Sequence, residues 1–210
     1  MSLALIDYGA GNLHSVHNAL KAAGAVDVVV TADPDVVAKA ERIVLPGVGA
    51  FKHCMDALTS IDGLVDSIES RVFGDSHPFL GICVGMQLMA EYGTETIGGT
   101  EHRPTDGLSW VAGYVVPIKP TKNIKIPHMG WNEVVPVGPS SLVERGEAYF
   151  LHSYAYECGQ WPSAVRAVTD HGGQVVAAIQ EKTAIGVQFH PEKSQAYGIN
   201  FLKRFLEWQP

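Results

Sequence analysis

The stretch Pro78-Phe79-Leu80-Gly81-Ile82-Cys83-Val84-Gly85 narrows the folds open to this 210-residue chain more than any other feature. An apolar strand runs into two glycines that flank a cysteine. This is the spacing of a nucleophile elbow, where a sharp strand-to-helix turn raises one reactive side chain above a sheet. Side chains in place of Gly81 and Gly85 would collide in so tight a turn. The start of the following helix offers free N–H groups and favours a thiolate. Such a turn belongs to parallel strands with crossover helices. The first half of the chain keeps that rhythm: Ala4 to Asp7, Val26 to Thr31 and Arg42 to Leu45 read as strands, and Asn12 to Ala23 and Pro34 to Ala40 as helices. Asn12 is a good N-cap and Gly24 tolerates a left-handed turn after the helix. A helix is expected from Cys83 until Gly93 stops it.

After Glu101 the texture changes to short strands and turns. Leu108 to Ile118, Ile124 to Val137, Ala148 to Tyr156, Val165 to Thr169 and Val175 to Val187 read as strands of a more antiparallel half, with Gly172-Gly173 as a hairpin turn. Ile199, Leu202, Phe205 and Leu206 mark a closing amphipathic helix. The polar, glycine-rich stretch from Gly93 to Asp106 is expected to be a flexible loop. No repeat or linker divides the chain, so residues 1–210 are expected to form one α/β domain around a mixed, mostly parallel sheet.

Composition excludes several function classes. The net charge is -7, which disfavours nucleic acid and anionic membranes as partners, because both demand excess Lys and Arg. No apolar run approaches the ~20 residues of a membrane helix, and the N-terminus lacks a signal-like pattern, so a cytoplasmic location is expected. Cys54, Cys83 and Cys158 form no close metal-type pair and leave an odd thiol, which argues against a disulfide framework. His14 and His17 could share a helix face, but no acidic or cysteine partner stands near them, so no metal is expected. Neither Gly9-Ala10-Gly11 nor Gly47-Val48-Gly49 completes a phosphate-binding motif, and no cofactor is expected.

A nucleophile needs a base. Gly186-Val187-Gln188-Phe189-His190-Pro191-Glu192 places His190 at the end of an apolar strand, where Pro191 biases it toward extended backbone. Alternate residues of an extended chain share a face, so the Glu192 carboxylate can orient the His190 imidazole and stabilise its protonated form. The chemistry expected is attack by Cys83 on a side-chain carboxamide, departure of ammonia assisted by His190, and hydrolysis of the thioester. The Val84 N–H and one N–H of the Val48-Gly49 turn are candidate oxyanion donors, the turn reorienting first if it must. Taken singly, Cys83 could be a small buried core residue and His190 a surface histidine beside a chance acid. Cys54 and Cys158 lack the elbow setting and are read as structural or incidental thiols.

Gly81-x-Cys83-x-Gly85-x-Gln87 together with His190-Pro191-Glu192 resembles the class I glutamine amidotransferases. Four further motifs, Tyr8-Gly9-Ala10-Gly11-Asn12, Pro46-Gly47-Val48-Gly49-Ala50-Phe51, His128-Met129-Gly130-Trp131-Asn132 and His152-Ser153-Tyr154, resemble the glutaminase subunits of imidazole glycerol phosphate synthase. The resemblance covers essentially the whole chain and implies a flavodoxin-like three-layer α/β/α domain. It implies that glutamine is hydrolysed and that its ammonia passes to a (β/α)8-barrel cyclase subunit in a heterodimer. That cyclase would form imidazole glycerol phosphate and an aminoimidazole carboxamide ribotide in histidine biosynthesis. Gln87, Glu91, Gly49, His152, Ser153 and Tyr154 map onto the family's glutamine pocket. Asn12, Met129, Trp131, Asn132, Tyr149 and Lys193 map onto the surface that faces the cyclase.

The triad alone would equally serve vitamin B6, anthranilate or guanylate synthesis, and the Met129 to Asn132 motif argues against these. A cysteine peptidase and a catalytically silent regulatory module are the readings from other classes. No extended substrate groove is legible for the first, and the intact triad opposes the second.

Overall fold

The structure is a computed structural model and describes residues 2–95, 104–119, 124–138, 140–158 and 162–210. Strands β1 (Ser2–Ile6), β2 (Asp27–Thr31), β3 (Arg42–Gly47) and β4 (Phe79–Cys83) are mutually parallel in the order β2-β1-β3-β4. They alternate with helices α1 (Leu13–Ala22), α2 (Pro34–Val37), α3 (Phe51–Thr59) and α4 (Leu64–Glu69), and α5 (Val84–Gln87) follows β4 directly. The central strands are buried along their whole length, as strands with both faces covered must be. Local signals set the helix starts. Asn12 Oδ1 accepts the Ser15 N–H at 3.3 Å, and Asp33 Oδ1 accepts the Asp35 N–H at 2.9 Å ahead of Pro34 at the first helical position.

The second half supplies β5 (Tyr92–Gly93), β6 (Thr105–Asp106), β7 (Tyr114–Pro117), β8 (His128–Pro136), β9 (Gly146–His152), β10 (Tyr154–Glu157), β11 (Val165–Asp170), β12 (Gln174–Glu181) and β13 (Ala184–Val187). β13 pairs parallel with β4, and β12, β11, β8 and β9 continue outward antiparallel to complete a nine-stranded mixed sheet. A smaller sheet has the order β10-β7-β5-β6. Helix α6 (Gln195–Glu207) packs against α1, while α2 packs against α4, so the helices form two separate groups around the sheet. Phe201, Leu202, Phe205 and Leu206 of α6 are buried, and Ile199 lies partly buried against the same core.

Several expected boundaries move. The helix after Cys83 stops at Gln87 rather than at Gly93. Its trailing carbonyls are claimed by the incoming chain instead: Leu88 O accepts the Leu108 N–H, Ala90 O the Ser109 N–H and Glu91 O the Gly107 N–H, all within 2.9 Å. Gly93 becomes part of β5. That capping also uses up the start of the expected strand from Leu108, leaving only Tyr114–Pro117 extended. The Ala148 to Tyr156 run splits at Ser153 into strands of different sheets, and Val175 to Val187 folds into a hairpin through Lys182, whose φ is 49°. Gly172 and Gly173 do turn β11 into β12, both at positive φ. Of the expected loop from Gly93 to Asp106, residues 96–103 lie outside the described residues.

Candidate active site

Cys83 is the last residue of β4 and the N-cap of α5, with φ 55° and ψ -110°. Such a backbone is costly for a residue with a Cβ and persists only where its surroundings enforce it. The enforcement comes from the two glycines. A Cβ on Gly81 would stand 2.5 Å from the Gly85 carbonyl oxygen, and one on Gly85 would strike the Leu45 carbonyl. The chain therefore closes backbone against backbone, and the cysteine is aimed at a cavity of about 290 Å³.

His190 follows β13, the neighbour of β4, so sheet pairing alone brings it beside the elbow. Its Nδ1–H donates to Glu192 Oε1 at 2.8 Å, and both side chains are almost wholly buried. Burial opposes protonation of this ring, but the adjacent Cys83 sulfur and the Glu192 carboxylate outweigh it and hold the His190 pKa above the usual histidine range. Nε2 of His190 has no hydrogen-bond partner among the described residues, so thiol and ring are neighbours without a closed bond. Gln188 Nε2–H points at the Cys83 sulfur from 3.6 Å, and the Leu151 carbonyl lies 3.9 Å from it.

The cavity is lined by Val48, Gly49, Val84 and Gln87 on the elbow side and by His152, Ser153, Tyr154 and His190 opposite. Lys193 closes one edge. The glycine turn is held from behind, since the Tyr8 hydroxyl donates to Pro46 O at 2.9 Å and the buried Cys54 thiol donates to Val48 O at 3.4 Å. Cys54 is thus part of the turn's scaffold, and burial pushes its thiol up to about 11. Burial likewise lowers His152 to about 4, so this ring is uncharged at neutral pH.

Glu91 is not among the lining residues: it is exposed, and its Oε2 accepts the Gly113 N–H at 2.9 Å. Glu95 lines the cavity in its place, together with Pro127 and Leu151, and none of the three carries a sequence signal as strong as the elbow. Glu95 Oε2 accepts the Phe51 N–H at 2.6 Å, and burial raises its pKa. An acid just before a glycine-rich stretch was the available clue.

Met129 and Trp131 are 62% and 47% exposed on one face of β8, and the Trp131 ring meets Tyr149 edge-on at 6.2 Å. Lys193 Nζ stands 5.9 Å from the Tyr149 ring centre, which joins this patch to the cavity edge. Strand alternation turns Asn132 the other way, where its amide bonds within the chain to His128, Asp170 O and the Glu133 N–H. Asn12 sits at the start of α1 and spends its side chain on the helix cap.

The family description "Glutamine amidotransferase class-I" matches residues 4–208. The imidazole glycerol phosphate synthase subunit HisH of Zymomonas mobilis is 51% identical over the whole chain and 97% of the relative. The HisH subunit of Rhodopseudomonas palustris is 47% identical over the full length of both. Among solved structures, a glutamine amidotransferase superposes with a TM-score of 0.70 at 17% identity, covering 97% of each chain. The structure of PurLQS from Thermotoga maritima gives 0.65 at 15%, covering 98% of this chain and 95% of the matched one. These two likenesses establish the shared fold, while the two HisH sequences reach much further. The elbow, the buried histidine and carboxylate, and full-length identity near one half converge, and the chain belongs to the class-I glutamine amidotransferase family, among its imidazole glycerol phosphate synthase HisH subunits.

Proposed function

We propose that the chain, as one amidotransferase domain over residues 1–210, hydrolyses glutamine to glutamate and ammonia through a thioester on Cys83. The ammonia then passes to a cyclase subunit that makes imidazole glycerol phosphate and aminoimidazole carboxamide ribotide. The observation that carries this reading is the convergence of the strained Cys83 and the Glu192-bound His190 on a cavity the size of one amino acid.

In this reading the Cys83 thiolate, its proton held by His190, attacks the carboxamide carbon of glutamine. The carbonyl oxygen takes the negative charge and is met by the Val84 N–H and an N–H of the Val48-Gly49 turn. Losing one such donor costs on the order of 3 kcal/mol. The C–N bond then breaks, His190 gives its proton to the leaving nitrogen, and ammonia departs. Water, deprotonated by the same ring, attacks the thioester and frees glutamate and the thiol. Glu192 keeps the ring oriented and stabilises its cationic form. Gln87, His152, Ser153 and Tyr154 wall the pocket, and the Glu95 carboxylate offers a counter-charge for the substrate's α-ammonium.

Ammonia released into water becomes ammonium, which is no nucleophile, so a tight partner follows from the chemistry. We assign the partner surface to Met129, Trp131, Tyr149 and Lys193, with Asn12 at its margin and Asn132 acting through its strand. The exposed aromatic and thioether groups beside the cavity edge support this. Among the described residues no helix is long and apolar enough to cross a membrane, and we place the reaction in the cytoplasm. The test is glutamate release from glutamine by the chain with and without the purified cyclase and its ligand, using Cys83→Ala as the blank. Release that survives in Cys83→Ala would remove the thioester route.

A further inference from the structure

Three histidines that the proposed reaction does not use as acid or base, His128, His152 and His171, cluster at the cavity wall, His171 stacked on His128 and His152 edge-on to it. His128 on β8 lies directly across from His152 on β9 in the strand register. The His128 ring is sandwiched between Phe150, at 4.6 Å, and His171, at 4.0 Å, both nearly parallel to it. His128 and His152 are buried, and their rings meet at 3.0 Å between Nδ1 and Nε2.

The direction of every hydrogen bond in this group is forced. His152 Nδ1 lies 2.7 Å from the Tyr154 carbonyl, which can only accept, so that nitrogen carries the proton. Burial and the neighbouring imidazoles hold both rings neutral, so His152 Nε2 is an acceptor and His128 Nδ1–H must donate to it. His128 Nε2 is then an acceptor, met at 3.1 Å by Asn132 Nδ2–H. The Asn132 amide cannot flip, because its Oδ1 accepts the Glu133 N–H at 2.8 Å and its Nδ2 donates to Asp170 O at 2.8 Å.

The run does not end at Tyr154. The same carbonyl accepts from Gln87 Nε2 at 3.2 Å, Gln87 donates to Gln188 Oε1 at 3.0 Å, and Gln188 donates to the Cys83 sulfur at 3.6 Å. An unbroken series of polar contacts therefore links Asn132, on the strand that carries Met129 and Trp131, to the nucleophile.

We propose that His128 is a positioning residue of the glutaminase site: its Nδ1–H locks His152 in one tautomer, and through the Tyr154 carbonyl it fixes the pocket wall and the Gln87-Gln188-Cys83 series. The inference rests on the function proposed above and adds a residue that touches neither substrate nor reacting atoms. If the ring only filled space between Phe150 and His171, any aromatic ring would serve. If its donor is what counts, a smaller side chain with a donor at the same reach would serve better.

The test sets His128→Phe against His128→Asn in the complex with the cyclase subunit, since the Asn Nδ2–H reaches where the histidine Nδ1–H does. The expected result is a loss of roughly tenfold to a hundredfold in kcat/KM for glutamine in His128→Phe, the scale of a misplacement of about 1 Å. His128→Asn should recover most of it, and ammonia-dependent synthesis should be unchanged in both. Near-normal turnover in His128→Phe, or equal losses in the two variants, would overturn the proposal. Should His128→Phe fail to fold, nitrogen NMR of the wild-type rings decides: His152 must carry its proton on Nδ1 alone, and any Nε2-protonated population overturns the lock. The ring spectra do not depend on glutamine turnover. A wild-type complex that released no glutamate would sink the proposed function while leaving the hydrogen-bond series measurable.

Discussion

His190 Nδ1 and Glu192 Oε1 meet at 2.8 Å across a single proline, so three consecutive residues carry both the ring and the carboxylate that orients it. Pro191 begins a 3-10 turn, and that turn bends the carboxylate back under the ring. Replacing Glu192 by Gln keeps the shape and removes the charge. Glutaminase kcat should fall by roughly a hundredfold or more, toward the roughly ten-thousandfold loss that follows when the acid of a comparable triad is neutralised. Single-turnover thioester formation is the measurement, and a loss under about threefold would place the work of orientation elsewhere.

The same pair predicts a pH dependence of stability. His190 has a folded pKa above its unfolded value near 6.5, so its contribution is complete below pH 6.5 and fades as pH rises toward the folded value. His128 and His152 behave oppositely. Burial lowers them to about 3 and about 4, so the folded state loses ground as pH falls below about 6.5, by up to about 1.4 kcal/mol per pH unit for each ring. Urea midpoints should therefore be highest near neutral pH. His128→Phe should flatten the acid limb and Glu192→Gln the alkaline one.

Gly85→Ala should abolish soluble folded protein or lower stability by more than about 4 kcal/mol, because the new methyl would overlap the Leu45 carbonyl and neither backbone can yield. Thermal melts of Gly85→Ala beside a Gly173→Ala control would separate close approach from backbone strain, since Gly173 has a positive φ but open space around it.

Trp131→Ala should weaken binding of the cyclase subunit by at least about 2 kcal/mol and leave the melting temperature within a degree or two. The ring is half exposed and meets Tyr149 edge-on. Calorimetric titration gives the first number, and an unchanged affinity would remove Trp131 from the interface.

What the residues foretold and what they concealed divide along a physical line. The elbow was legible because Gly81, Cys83 and Gly85 are tied to local backbone geometry, and the parallel half because its buried strands are continuous apolar runs. The early end of α5 was not, since it is imposed by N–H groups of Gly107, Leu108 and Ser109, some twenty residues on. Glu95 entered the cavity for the same reason: its carboxylate is placed by the Phe51 N–H, a tertiary contact without a local pattern. The histidine series was hidden most deeply, because it depends on β8 and β9 pairing in one register, with His128 opposite His152.

Ser153 alone separates β9, in the large sheet, from β10, in the small one. The pocket thus spans a seam, with Leu151 and His152 of β9 on one side of it and Tyr154 of β10 on the other. A molecule seated there rivets two plates together. Its arrival should be felt as slower amide exchange along Tyr154–Glu157, from the cavity wall outward.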